Sequence, residues 1–93
     1  MDRQRIDKWL WHARVVRTRS VAAALAASGH VRVNGERVRA SSRTIRVGDV
    51  VTVALGHGVQ LLKVLGFAER RGSADEARRI CQLMDAAPSP GRP

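Results

Sequence analysis

The sequence predicts an α+β domain in the order α-α-β-β-β-β-α: two short helices, four strands and a closing helix. Three observations predict it. Apolar residues recur at helical spacing as far as Ala27 and alternate from His30 onward. Asn34-Gly35 lies between two alternating valine segments, a strong hairpin signal. Ser73-Ala74-Asp75-Glu76 has the pattern of a capping box that opens a last helix.

Each element follows from local chemistry. Ile6, Trp9, Leu10 and Ala13 form one stripe, so residues 5–16 read as an amphipathic helix. Thr18 is a suitable N-cap for a second helix running through the Ala-rich segment Val21–Ala27, and Gly29 is its natural stop. His30–Val33 and Arg37–Arg39 alternate around the turn, placing valines on one face and His30, Arg32 and either Arg37 or Arg39 outside it. Residues 40–44 read as polar loop, Gly48-Asp49 as a turn, Val50–Leu55 and Val59–Phe67 as strands, and Gly56-His57-Gly58 as the loop between them. The last helix is expected to reach about Ala86. Residues 1–72 then make the main unit, 73–87 a C-terminal helix packed on it, and 88–93 a flexible Pro-rich tail.

At 93 residues and 10.2 kDa the chain has room for one small domain and not for a two-domain enzyme. Its net charge is +9, with a pI near 11.7. The excess is segregated. Residues 1–46 carry eleven basic against three acidic side chains, net +8, whereas residues 47–93 carry six against five, net +1. Such a half repels itself unless something anionic is expected, so the simplest partner is a polyanion.

Constellations for catalysis are missing from the pattern. His12, His30 and His57 fall in different elements without ligand spacing, and are expected to face solvent or lie in loops. Gly56-His57-Gly58 lacks both the further glycine of a dinucleotide loop and a Walker lysine. Acidic residues are scattered, and Cys81 beside Ile80, Leu83 and Met84 reads as a core or edge position. The expectation is a protein that is not an enzyme and needs no metal or cofactor. A single cysteine, no secretory signal and no run approaching about 18 apolar residues suggest a cytoplasmic protein with no membrane association.

Three basic groups could share one surface. Arg5, Lys8 and Arg14 lie off the apolar stripe of the first helix. Arg17 and Arg19 bracket Thr18, where free N–H groups and the helix dipole favour phosphate. Asn34 and Arg37 at the hairpin, with Arg43 in the following loop, form the third group. Trp9 belongs to the core stripe. Trp11 points about 140° away from Ile6 and is read as packing on another apolar element in preference to stacking on a base. A DNA-binding helix-turn-helix shares the two opening helices, but the Ala-rich second helix offers almost nothing to read base edges.

Arg5-Ile6-Asp7-Lys8-Trp9-Leu10, Arg17-Thr18-Arg19, Gly29–Gly35 and Val47-Gly48-Asp49, in this order and spacing, resemble the RNA-binding domain named for ribosomal small-subunit protein four, the S-four domain. Trp11, Ala13-Arg14 and Glu69-Arg70-Arg71-Gly72 extend the likeness to the heat-shock protein fifteen family of free-standing bacterial S-four proteins, over about residues 3–86. The resemblance implies two N-terminal helices packed on a small, mostly antiparallel sheet. It implies a non-catalytic stress-response protein that binds ribosomal RNA on large (50S) subunits carrying a stalled nascent chain on tRNA. The expected role is recycling or quality control of those subunits, with RNA, peptidyl-tRNA and the 50S particle as partners and the protein acting as a monomer. Carried over residue by residue, the RNA contacts are Arg5, Lys8, Arg14, Arg17, Thr18, Arg19, Ser20, Asn34, Arg37 and Arg43. This sequence departs from the pattern in three places. A basic C-terminal extension of longer members is replaced by a short tail with Arg92 alone, their Pro-Ser-Lys loop by Ala40–Arg43, and a frequent aromatic in the last helix by Ile80-Cys81.

Overall fold

The chain opens with a strand absent from the sequence reading. In the computed structural model, which describes residues 2–56 and 58–84, strand β1 (Arg3–Arg5) leads directly into helix α1 (Ile6–His12). Helix α2 (Arg19–Ala27) follows, then β2 (Val31–Val33), β3 (Glu36–Arg37), β4 (Thr44–Arg46), β5 (Val50–Leu55) and β6 (Gly58–Val64). Helix α3 (Ala74–Ile80) and strand β7 (Cys81–Met84) complete the described chain. Five strands form one antiparallel sheet in the order β3-β2-β5-β6-β7, while β1 and β4 pair separately.

The core sits between the two N-terminal helices and one face of the larger sheet. Ile6, Trp9 and Leu10 from α1 and Ala22 and Ala26 from α2 are fully buried, as are Val31, Val33, Val51 and Val53 from the sheet. The small alanines of α2 allow it to pack closely on α1. Alternation supplies the sheet's contribution: Val31 faces Val53 and Val33 faces Val51 across the β2–β5 ladder. The other face of β2 and β3 is exposed, including Arg32 and Arg37. The expected fold class therefore stands: α+β, with helices on a mostly antiparallel sheet.

Three differences from the sequence reading have physical causes. Helix α1 ends at His12 instead of reaching 16, because Arg14 adopts a left-handed φ of 62° and closes a Schellman turn. In that turn the Val15 N–H donates to the Leu10 carbonyl and the Arg14 N–H to the Trp11 carbonyl, both at 3.1 Å. The last helix stops at Ile80 instead of continuing toward Ala86. Its final carbonyl accepts from the Leu65 N–H at 2.9 Å, and Cys81–Met84 pair with the otherwise open edge of β6. Ala86 and the Pro-rich tail lie outside the described residues, as does His57. Finally, His12 is buried rather than solvent-facing, at 1 % exposure, because the segment after β6 crosses over the end of α1. That segment is tied down by Trp9 Nε1 donating to Gly66 O (3.1 Å), Gln4 Nε2 to Ala68 O (2.8 Å) and Arg71 Nε to Trp11 O (3.0 Å).

Turn chemistry fixes the hairpin that the sequence announced. Asn34 and Gly35 take φ of 51° and 86°, the positive pair that a tight β-hairpin turn requires. The Ser73 capping box is present in full: Glu76 N donates to Ser73 Oγ at 3.2 Å, and Ser73 N donates to Glu76 Oε1 at 2.8 Å. Hydrogen bonding from the Ser73 backbone N–H, and then from the Ser73 side chain, holds the Glu76 carboxyl below its ordinary range.

Candidate nucleic-acid interface

A buried carboxylate organises the basic residues at the junction of α1 and α2. Asp7, in the first turn of α1, is only 2 % exposed. Arg5 grips it with both edges of its fork, Nη2 to Oδ2 at 2.9 Å and Nε to Oδ1 at 3.2 Å. Arg19, the first residue of α2, brings Nη2 to 3.7 Å from Oδ1. Two guanidinium groups from different elements are thus held around one carboxylate, each still nearly half exposed. The cluster is net positive and pre-oriented, and its outer N–H groups remain available to an incoming acceptor.

The start of α2 strengthens the anion preference. Thr18 is the N-cap, its Oγ1 accepting from the Val21 N–H at 3.1 Å. The first turn contains no acidic residue and carries Arg19, with Arg17 just before it. Cations at a helix N-terminus oppose the macrodipole, and an anion bound there removes the conflict. Arg17, Ser20 and Thr18 are all exposed at this end, and Lys8 is half-buried on α1.

A second basic group lines a groove of about 540 Å³ between β3 and the loop before β4, formed by Glu36, Arg37, Arg39, Ala40, Ser42 and Arg43. The Arg37 guanidinium lies across Gly29 so closely that a Cβ there would overlap it. This places a cation at the C-terminal end of α2, where the dipole favours it. Arg43 Nη2 stands 3.9 Å from Glu36 Oε1. Its carbonyl accepts from the Ile6 N–H at 2.7 Å, tying the groove to the start of α1 and hence to the Asp7 cluster.

Two of the sequence candidates are placed differently. Asn34 is engaged within the protein: its Nδ2 donates to Asp49 Oδ1 (3.1 Å) and its Oδ1 accepts from the Val50 N–H (2.9 Å). It locks the hairpin tip to the turn before β5 and leaves one amide N–H for a ligand. Arg14 donates through Nε to the Gly72 carbonyl at 2.9 Å and lines a different groove, shared with α3, β6 and β7. The sequence reading missed Asp7 as an anchor and Arg39 as a groove residue. Asp7 had a signal, an acid two positions from Arg5 within the most basic segment; Arg39 had its charge and a possible place off the valine face.

The remaining singular residues pack. Trp9 is fully buried, and Trp11 is partly buried against the core, its ring centroid 5.3 Å from that of His12. Burial lowers the pKa of His12. Cys81 lies on β7, and burial pushes its thiol up to about 11, the opposite of an activated nucleophile. Among the described residues no group of three His, Cys, Asp or Glu side chains could hold a metal ion, and no helix is long and apolar enough to cross a membrane.

Comparison with known proteins is consistent with this arrangement. The S4 domain family pattern matches residues 4–51, which contain the Asp7 cluster, the start of α2 and the groove. A heat shock protein 15 homolog of Haemophilus influenzae is 36 % identical over 83 residues, 89 % of this chain and 63 % of the relative. A Streptococcus pneumoniae protein named RQC P-site tRNA stabilizing factor is 34 % identical over 73 residues, 78 % of this chain and 82 % of that one. The solved structure of Vibrio cholerae heat shock protein 15, described as trimeric, matches with a TM-score of 0.82 at 31 % identity, covering 90 % of this chain and 84 % of the other. The chain spans less than two thirds of the length of the first heat shock protein 15 relatives, 63 % and 62 %. Sequence motifs, fold and family pattern converge on one assignment: the chain belongs to the S4 domain family, within the heat shock protein 15 group.

Proposed function

We propose that this protein is a non-catalytic, cytoplasmic RNA-binding protein that docks on ribosomal RNA of large (50S) subunits carrying a stalled nascent chain on tRNA. There it serves rescue, recycling or quality control. The observation that carries the reading is the pair of guanidinium groups held around Asp7 and joined through Arg43 to an arginine-lined groove. Such an array suits phosphates of a folded RNA, which is recognised by shape and backbone more than by base edges. In this reading Arg5, Lys8, Arg17, Arg19, Arg37 and Arg43 contact phosphate. Thr18 and Ser20 add hydroxyl and amide donors at α2, and Asn34 shapes the hairpin tip. Arg14 joins them only if the RNA also reaches the α3 side. The names of the relatives, heat shock protein 15 and RQC P-site tRNA stabilizing factor, support the ribosomal setting.

The test is co-sedimentation of the purified protein with 30S, 50S and 70S particles, with and without a stalled nascent chain. Selective pelleting with chain-bearing 50S is expected. Equal pelleting with every particle, lost at modest salt, would leave a general structured-RNA binder without ribosome specificity. If about six phosphates are neutralised, log affinity falls with log salt at a slope of roughly −4 to −5. Reversing charge at Arg19 and Arg37 together should abolish binding with the circular dichroism spectrum unchanged; wild-type affinity in that variant sinks the proposed face. Sedimentation velocity of the free protein tests the monomeric state.

A further inference from the structure

The β1–β4 ribbon holds a like-charge pairing that folding alone does not explain. Arg3 and Arg46 are directly opposite one another in its antiparallel register, and Arg5 is opposite Thr44. Directly opposed residues share a face, and here the other face is taken by Gln4 and Ile45, both buried. All four outward residues, Arg3, Arg5, Thr44 and Arg46, are exposed. Like charges directly opposite each other weaken a ladder. Among the described residues Arg3 pairs with Asp2, whose Oδ1 is 3.9 Å away and whose side chain is 93 % exposed, so solvent screens it. None of the five ion pairs among the described residues includes Arg46. Asp49 is nearby, but its carboxylate accepts from the Arg46 backbone N–H (2.9 Å) and from Asn34.

The position of this pair gives it a use. Arg5 is both the N-cap of α1 and the residue that grips Asp7. Arg3 is two residues back along the same strand, about 7 Å away on the same face. The ribbon therefore continues the cationic surface outward from the Asp7 cluster.

We propose that Arg3 and Arg46 form a further phosphate clamp, which takes the sugar-phosphate backbone of a bound RNA as it leaves the Asp7 cluster. This rests on the RNA-binding reading above and extends it to two residues outside the ten candidates. An RNA phosphate between the two guanidinium groups would turn their repulsion into a bidentate, charge-assisted contact. The free protein then carries a local instability that ligand binding removes.

The experiment measures filter binding of purified large-subunit ribosomal RNA across a salt series, with thermal melting of each free variant. Arg3→Gln with Arg46→Gln should weaken binding about tenfold or more near 100 mM salt. It should also lower the magnitude of the salt slope by about 1.4–1.8, the value for two lost phosphate contacts. Arg78→Gln with Arg79→Gln, both exposed on α3, removes the same charge and should change affinity less than twofold. Arg46→Glu creates an opposed Arg–Glu pair, so its melting temperature should hold or rise while its RNA affinity falls. The proposal is overturned if the Arg3/Arg46 variant and the α3 variant have the same slope, or if Arg46→Glu binds like the wild type. Loss of binding on charge reversal at Arg19 and Arg37, with no effect at the ribbon, defeats the ribbon alone. Failure of the wild type to bind the RNA defeats both readings.

Discussion

Asp7→Asn separates two accounts of how the proposed surface would bind RNA. The substitution is nearly isosteric and removes one negative charge, raising the net charge from +9 to +10. If affinity followed net charge alone, the variant would bind RNA more tightly, by up to one phosphate's worth of counterion release. If Asp7 acts by holding Arg5 and Arg19, binding must weaken despite the added charge. The bidentate contact from Arg5 is replaced by at most one bond to the amide oxygen, and the amide NH₂ faces guanidinium donors. Because Arg5 and Arg19 are 46 % and 43 % exposed, they regain water, so the Coulomb loss is discounted heavily. The stability cost is then about 1–2 kcal/mol, a fall in melting temperature of roughly 5–15 °C for a domain of this size. A fold of this length has about 5–14 kcal/mol in hand and stays folded.

The larger effect falls on binding. Two released arginines must be ordered when RNA arrives, at about 0.5–1.5 kcal/mol each. Together this makes affinity weaker by roughly 5- to 150-fold. The number of phosphate contacts is unchanged, so the salt slope should remain near that of the wild type while the whole line shifts down. Filter binding of ribosomal RNA between 50 and 200 mM salt reads both quantities, with circular dichroism confirming the fold. Binding equal to or tighter than the wild type in a folded Asp7→Asn protein would refute the positioning argument and leave only net charge.

Other perturbations have definite signs. Glu36→Gln removes the one carboxylate lining the Arg37–Arg39–Arg43 groove and should tighten RNA binding severalfold; weaker binding in filter assays would show that Glu36 holds Arg43 in place. His12 is buried and its pKa is lowered from 6.5, chiefly by desolvation, with Lys8, Arg19 and Arg71 also opposing its charge. The unfolded chain therefore takes up the proton first, so stability is fully present above 6.5 and is lost as pH falls below it. Melting temperatures at pH 7.5 and 5.5 should differ in that direction, and the difference should shrink in His12→Gln. With its pKa raised to about 11, Cys81 should react very slowly with a disulfide reagent at pH 8, when about one thiol in a thousand is ionised; reaction at the rate of free cysteine would contradict its burial.

Local pattern made the helices and hairpin legible because their causes are local: the Thr18 cap, the Asn34-Gly35 turn and the valine alternation all act within a few residues. It failed where pairing over distance decides. Ala77, Ile80, Cys81 and Met84 have perfect helical spacing, yet the open edge of β6 draws Cys81–Met84 into a strand. The strands of the β1–β4 ribbon are three residues each, too short to display alternation, and exist because Gln4 and Ile45 need cover. The same division runs through the site. Charge segregation located the basic half, but counting treats every arginine alike and every acid as a subtraction. The fold does not. Arg14 stood among the candidates as a residue off the stripe of a helix to 16 and by the family resemblance; its left-handed backbone ends the helix and its side chain is bonded to Gly72. Asp7 lowers the count by one and raises the order of two cations. A polyanion-binding surface is made by how many of its cations are held in place before the ligand arrives, and that property belongs to contacts between elements, which the sequence contains only implicitly.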